Sequence, residues 1–142
     1  MAQILLFPAF NLARHNGAID LSSDAFEYML TNTAPAPTAA AAGDITEISY
    51  ANLSGSRALT LSGQGNSGAN NEIYSATLND STIAASGGNV GPFRYVVIRD
   101  TTADVLIGYI DRGAELTLAD TESVPLDFTG ALLTDTLANV AT

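Results

Sequence analysis

The chain contains no cysteine, no tryptophan and no lysine, and it has a single histidine, His15. Without cysteine there can be neither a disulfide framework nor a thiolate metal site. Without lysine, the five cations are all arginines: Arg14, Arg57, Arg94, Arg99 and Arg112, scattered along the chain and set against fifteen acids. The resulting net charge of -10 disfavours nucleic-acid phosphates and anionic lipid surfaces, so neither nucleic acid nor membrane is expected as a partner. The missing tryptophan removes the usual platform for a sugar ring, which weakens a glycosidase reading of the many carboxylates. The lone His15 has Asp20, Asp24 and several serines nearby in sequence. No nucleophile-elbow pattern accompanies it, and beside Asn16-Gly17 it reads as a turn residue. No apolar run approaches the roughly 20 residues of a membrane-spanning helix. The first ten residues lack a basic leading region and carry Pro8 inside their short apolar run, so they read as mature protein rather than a signal peptide.

What is present is a chain of 142 residues. That length fits one domain, residues 1–142, and a domain of about 150 residues buries roughly 70% of its unfolded surface. A core without disulfides is therefore feasible. Hydrophobic residues make up 46% and charged residues only 14%. A chain this acidic and this apolar is expected to leave apolar patches that mark contacts with other subunits.

Hydrophobic periodicity argues for an all-β fold. The most informative stretch is Phe93-Arg94-Tyr95-Val96-Val97-Ile98-Arg99-Asp100, then Thr101-Thr102-Ala103, then Asp104-Val105-Leu106-Ile107-Gly108-Tyr109-Ile110-Asp111. It reads as a β-hairpin of β-branched and aromatic residues around a short polar loop. Strict alternation groups Tyr95 with Val97, Val96 with Ile98, Ile107 with Tyr109, and Leu106 with Ile110. Both faces are then apolar and both must be covered, by the domain itself or by a partner subunit. Phe26, Tyr28 and Leu30 form one face of a strand ending at Asn32, although Ser23 could instead cap a short helix carrying Phe26, Met29 and Leu30. Residues 33–43 are rich in Ala and Pro and read as a loop with polyproline character. Asp44 is placed to cap a brief helical turn containing Ile45, Glu47 and Ile48.

From residue 57 onward the chain reads as β. Residues 58–62 and 72–78 alternate, residues 62–71 form a Gly/Ser/Asn loop, residues 82–85 make a short strand, and residues 87–92 make another loop. Residues 115–118 and 124–128 suggest a second hairpin around Ala119 to Ser123, and residues 130–142 read as a C-terminal strand or arm. Strand-like runs every 8–12 residues or so, separated by turn chemistry, favour a single-domain antiparallel β-sandwich or barrel. Residues 1–12 read as an apolar N-terminal arm or a first strand. The functional version of that reading has Ile4, Leu5, Leu6, Phe7 and Phe10 as a surface for sister subunits or another partner.

Gly63-Gln64-Gly65-Asn66-Ser67-Gly68 matches a dinucleotide-binding fingerprint in letters only. A strand, not a helix, is expected to follow, so no helix N-terminus would receive a pyrophosphate. Asp120, Glu122 and Asp127 lack the alternating spacing of a calcium loop and read as a solvated acidic rim. No catalytic residue, no metal site and no cofactor is expected.

The wording of the hairpin carries a family resemblance. Tyr95-Val96-Val97-Ile98-Arg99-Asp100-Thr101-Thr102 followed by Leu106-Ile107-Gly108-Tyr109-Ile110-Asp111 is the clearest part. Gly17-Ala18-Ile19-Asp20-Leu21 precedes it, leading into a strand that ends near Thr31-Asn32, then a Pro-containing loop and the acidic Asp44-Ile45 turn. A Thr-rich strand running to Leu126-Asp127-Phe128 follows. In order and spacing, residues 14–133 resemble a family of small structural proteins that tailed bacteriophages encode among their head genes. Arg112 stands where that family often has an aromatic, and the tryptophan frequent in its last strand is missing. The resemblance implies a virion structural protein on the capsid surface, a decoration (cement) protein. Its partners would be the major capsid protein and further copies of itself, as a homotrimer. A tail or fibre component that contacts the host through loops 62–71 and 79–92 is the alternative. The family supplies no catalytic residue.

Overall fold

A computed structural model describes residues 4–128 and 132–136. It is an all-β domain built from antiparallel sheets, as the periodicity requires. Eleven strands are formed by Ile4–Leu6 (β1), Phe26–Thr31 (β2), Leu53–Ser54 (β3), Ala58–Leu59 (β4), Leu61–Ser67 (β5), Ile73–Leu78 (β6), Ser81–Ala85 (β7), Val90–Asp100 (β8), Val105–Leu118 (β9), Ser123–Leu126 (β10) and Leu133–Thr136 (β11). A five-stranded sheet runs β1-β9-β8-β2-β4, and two three-stranded sheets run β10-β7-β3 and β11-β6-β5. The main core lies between them. Phe26, Tyr28, Leu30, Val96, Ile98, Ile107 and Ile110 from the large sheet meet Leu78, Ile83, Leu126 and Leu133 from the small ones. The expected sandwich is therefore present, with its second layer split in two.

The β8–β9 hairpin is the centre of the large sheet, and both of its faces are covered. The face away from the main core belongs to a second cluster, in which Met29, Val97 and Leu106 pack with Phe7, Ala39 and Ile45. This chain's own Ala/Pro-rich segment therefore lies over that face, held by a Leu106 N–H to Ala40 carbonyl hydrogen bond of 2.9 Å. The β8–β9 register shifts at three places, and the shift nearest the turn breaks strict alternation there. Val97 pairs with Tyr109 and Ile98 with Gly108, but Arg99 pairs with Leu106, leaving Ile107 as a bulge. The extra residue turns Ile107 into the main core beside Ile110, while Leu106 and Tyr109 face the second cluster. The grouping of Ile107 with Tyr109 and of Leu106 with Ile110 is thus overturned by a β-bulge.

The N-terminal segment is a strand followed by a helix, not an extended arm. β1 pairs antiparallel with β9, Leu6 opposite Gly108. Helix α1 then spans Pro8–His15. Pro8, which reads as an edge residue in the sequence, sits at the helix start, where a missing N–H costs nothing. Phe10 and Ala13, three apart, bury one face. The helix ends at Asn16-Gly17, with Gly17 at φ 78° and the Ala18 N–H bonded to the Ala13 carbonyl at 2.9 Å, a Schellman-type stop.

Four further expectations are corrected. Residues 61–67 are strand, because their polar backbone pairs with β6 across a two-strand ladder; the turn is confined to residues 68–72. β10 pairs with β7 rather than returning along β9, so residues 119–122 carry the chain across the sandwich instead of closing a second hairpin. β8 begins at Val90, inside the expected 87–92 loop. Asp44 ends a 3-10 turn, Ala42–Asp44, and its carboxylate accepts the Ala40 and Ala41 N–H groups instead of capping residues downstream. Of the expected C-terminal strand or arm, β11 is present; residues 137–142 lie outside the described residues.

Candidate functional site

The cations are consumed internally. Arg14 bonds Asp135 at 2.7 Å, and Arg94 forms a forked pair with Asp111 at 2.8 and 3.1 Å. Arg99 bridges Glu27 (2.8 Å) and Asp104 (2.9 Å). Arg57 lies within 3.5 Å of Glu27 and 3.7 Å of Glu47, stacks over the Tyr50 ring at 4.1 Å and donates to the Tyr28 carbonyl at 3.0 Å. Only Arg112 has no carboxylate partner among the described residues; it lies over the Phe93 ring at 5.6 Å. No continuous basic surface results.

Glu47, Arg57, Glu27, Arg99 and Asp104 form a chain of charges from the segment before β3, across β2 and β8, to the β8–β9 turn. Asp104 also accepts the Ala42 N–H at 3.1 Å, which ties the Ala/Pro segment to that turn. The Tyr50 hydroxyl donates to Glu47 at 2.6 Å and accepts the Leu30 N–H at 2.9 Å. Burial first, and Glu47 second, push its phenol well above the usual range. Each group in this network is already bonded within the chain. Its chemistry is that of a clamp.

Five other acids hold backbone N–H groups. Asp20 accepts from Ser22 N–H (2.9 Å), Glu72 from Asn70 N–H (2.9 Å), Asp80 from Phe128 N–H (2.7 Å), Asp120 from Gly87 N–H (2.8 Å) and Glu122 from Ala119 N–H (2.6 Å). Asp120, Glu122 and Asp127, expected as a solvated rim, are exposed, and the first two also hold backbone in place. Hydrogen bonds to the ionised form lower the pKa values of Asp20, Asp44 and Glu72. Among the described residues no three acids or histidines converge as a metal site.

A cleft of about 620 Å³ lies between the end of α1, residues 17–22 and β5, β6 and β11. Its polar side chains bond mostly to one another or to nearby backbone, although the buried Arg14 Nε has no partner among the described residues. His15 Nδ1 bonds the Asn11 carbonyl at 2.8 Å, Ser22 donates its hydroxyl to Asp20 at 2.6 Å, and the Tyr74 hydroxyl meets Gln64 at 3.1 Å. His15 is therefore not interposed between a hydroxyl and a carboxylate, and no triad forms here. The glycines at 63–68 lie in β5 and the turn to β6, with no helix after them.

The five interface candidates separate by burial. Phe7 and Phe10 are 2% and 1% exposed and fill this chain's own clusters, so they are not a surface for a partner in this fold. Ile4 is half-buried against the main core. Leu5 and Leu6 are exposed at 43% and 42%, as is Leu12 of α1 at 67%. β1 is the terminal strand of the large sheet, so its outer edge has no partner strand among the described residues. Gly108 lets β1 approach: a Cβ there would lie 2.7 Å from the Leu5 carbonyl oxygen. The signal for Leu12 was available in the sequence, as the apolar residue off the Phe10/Ala13 face, once residues 8–15 are taken as helix. No helix among the described residues is long and apolar enough to cross a membrane.

Comparison with protein-family models, with curated proteins and with solved structures gives no match for this chain.

Proposed function

We propose that the chain is a virion structural protein of a tailed bacteriophage, a capsid decoration protein that binds the major capsid protein on the outer surface of the head as a homotrimer. The observation that carries the reading is the β1 edge, which bears exposed Leu5 and Leu6 and has no partner strand among the described residues. An unpaired edge with apolar side chains is a site for strand addition or apolar docking. The resemblance of Tyr95–Thr102 and Leu106–Asp111 to phage head-gene products supports the major capsid protein as the partner. The charge layout agrees: four of the five cations paired within the chain and most acids outward suit a protein on the far side of the shell from packaged DNA. Modest contacts per subunit suffice when linked subunits engage a lattice together.

The exposed β5–β6 hairpin favours the second reading, a tail or fibre component meeting a host surface. Both readings are tested by mixing purified protein with phage heads that lack it and sedimenting the heads. Saturable co-sedimentation that is lost in Leu5→Glu/Leu6→Glu supports decoration through β1. Binding to tails or host cells, with none to heads, overturns it.

A further inference from the structure

Asp100 is the one acid of this chain whose side chain enters the interior. It ends β8 with 0% exposure, and it faces the main-core side of the sheet with Val96 and Ile98. Its Oδ1 accepts the Ala103 N–H at 3.0 Å; its Oδ2 is buried and accepts no hydrogen bond. A buried carboxylate oxygen without a donor is costly when ionised. Three hydrogen bonds draw residues 24 and 25 against this point. Thr101 N–H and hydroxyl both donate to the Ala25 carbonyl (2.8 and 3.1 Å), and Ala25 N–H donates to the Thr102 hydroxyl (3.0 Å). They set Asp24 beside Asp100, and the two carboxyl groups act on each other. Asp24 Oδ2 in turn accepts the Asp20 N–H at 3.0 Å.

We infer that Asp24 and Asp100 form a binding site for a single proton, which fastens residues 20–25 to the β8–β9 turn when occupied and loosens them when empty. Two carboxylates facing each other supply only acceptors. One proton turns one of them into the missing donor for Oδ2.

Other charges around the pair do not take the proton's place. On the 20–25 segment, Asp20 spends its carboxylate on Ser22. On β8, Arg99 alternates to the opposite face and joins Glu27 of β2 and Asp104 of the turn in their own ion pairs. Tyr28 of β2 faces the same interior, but burial raises its pKa and keeps it neutral. Desolvation, with Asp24 as the second cause, lifts Asp100 to about 6. The segment that is fastened lines two clefts, through Asp20, Leu21 and Ser22 in one and Asp24 and Ala25 in the other, so the proton would set the shape of that side of the molecule.

The test is carboxyl-carbon NMR titration of the whole protein together with amide hydrogen exchange. The expected result is an Asp100 transition near pH 6, with its midpoint falling by about one unit or more in Asp24→Asn. For a group moved from 3.8 to about 6, opening of the 20–25 segment should become about tenfold easier between about pH 5 and about pH 8. Asp100→Asn, which carries a permanent donor, should abolish that dependence. If this variant does not fold, the titration of the unaltered protein still decides. An Asp100 midpoint near the ordinary carboxylate value, or one unmoved by Asp24→Asn, overturns the inference. So does calcium protecting the segment at about pH 8 and erasing the transition, since the pair would then be a cation site.

Discussion

Gly108→Ala isolates how β1 is held. The added Cβ would meet the Leu5 carbonyl oxygen at 2.7 Å and Ile4 Cγ2 at 3.0 Å. The first is backbone, pinned by the Ile4–Ile110 to Leu6–Gly108 ladder, and cannot swing away. Relief requires shifting β1 off β9, and overpacking of this kind costs about 1–3 kcal/mol. The upper bound is complete detachment, which would expose Phe7 and forfeit the roughly 3–5 kcal/mol of a buried phenylalanine. In the unfolded chain the substitution works the other way, since Gly→Ala without strain stabilises by about 0.4–1 kcal/mol. The net expectation is a loss of about 1–2 kcal/mol, seen in urea unfolding as a lower midpoint at unchanged slope. A domain of this size should melt lower by roughly 3–8 °C. A variant equal to or more stable than the parent would refute the close approach of β1 to Gly108.

Other outcomes follow from the same geometry. Phe10→Ala should destabilise by about 3–5 kcal/mol in urea unfolding, whereas Leu5→Glu and Leu6→Glu should each stay within about 0.5 kcal/mol because they leave no cavity; deleting residues 2–10 should therefore unfold the domain instead of trimming an arm. Arg57→Ala should cost about 1–2 kcal/mol, since the Tyr28 carbonyl loses its donor and Glu27 and Glu47 lose a common cation partly shielded from water. The pH profile combines two signs. Asp44, Asp104, Asp111 and Asp135 have lowered pKa values, so their contribution is present above the unfolded carboxylate range and disappears as pH falls through their folded values. Asp100, raised from 3.8 to about 6, acts oppositely: the fold loses stability as pH rises across that interval. Thermal melts against pH should peak in the mildly acidic range, and in Asp100→Asn the decline above it should vanish.

The sheet-forming part of the chain was legible because β-branched and aromatic runs such as Tyr95–Ile98 and Phe26–Leu30 admit little else. Two kinds of information were not. A bulge is one residue of slack, and nothing in Leu106-Ile107-Gly108 announces that Ile107 turns inward; only the partner strand fixes it. Strand partnership across the sandwich was equally silent. Residues 115–128 satisfy a hairpin pattern locally, yet Val124 pairs with Ile83 because the core must be closed from the other side. Helix α1 could have been found from Pro8 at its start, Phe10 and Ala13 on one face, Arg14 and His15 in the last turn and Asn16-Gly17 at the stop. The interface candidates shared one apolar stretch, and composition could not divide Leu5 and Leu6 from Phe7 and Phe10; the division comes from the chain entering a helix at Pro8. Asp100 looked like one of many acids, since its burial is decided by the end of β8 meeting residues 24–25.

The measurement closest to the central claim is a cryo-EM reconstruction of phage heads with and without this protein. Added density is expected on the outer capsid surface, at sites between major capsid subunits, with β1 of each copy at the contact. Density on the tail alone, or none on the virion, would contradict it.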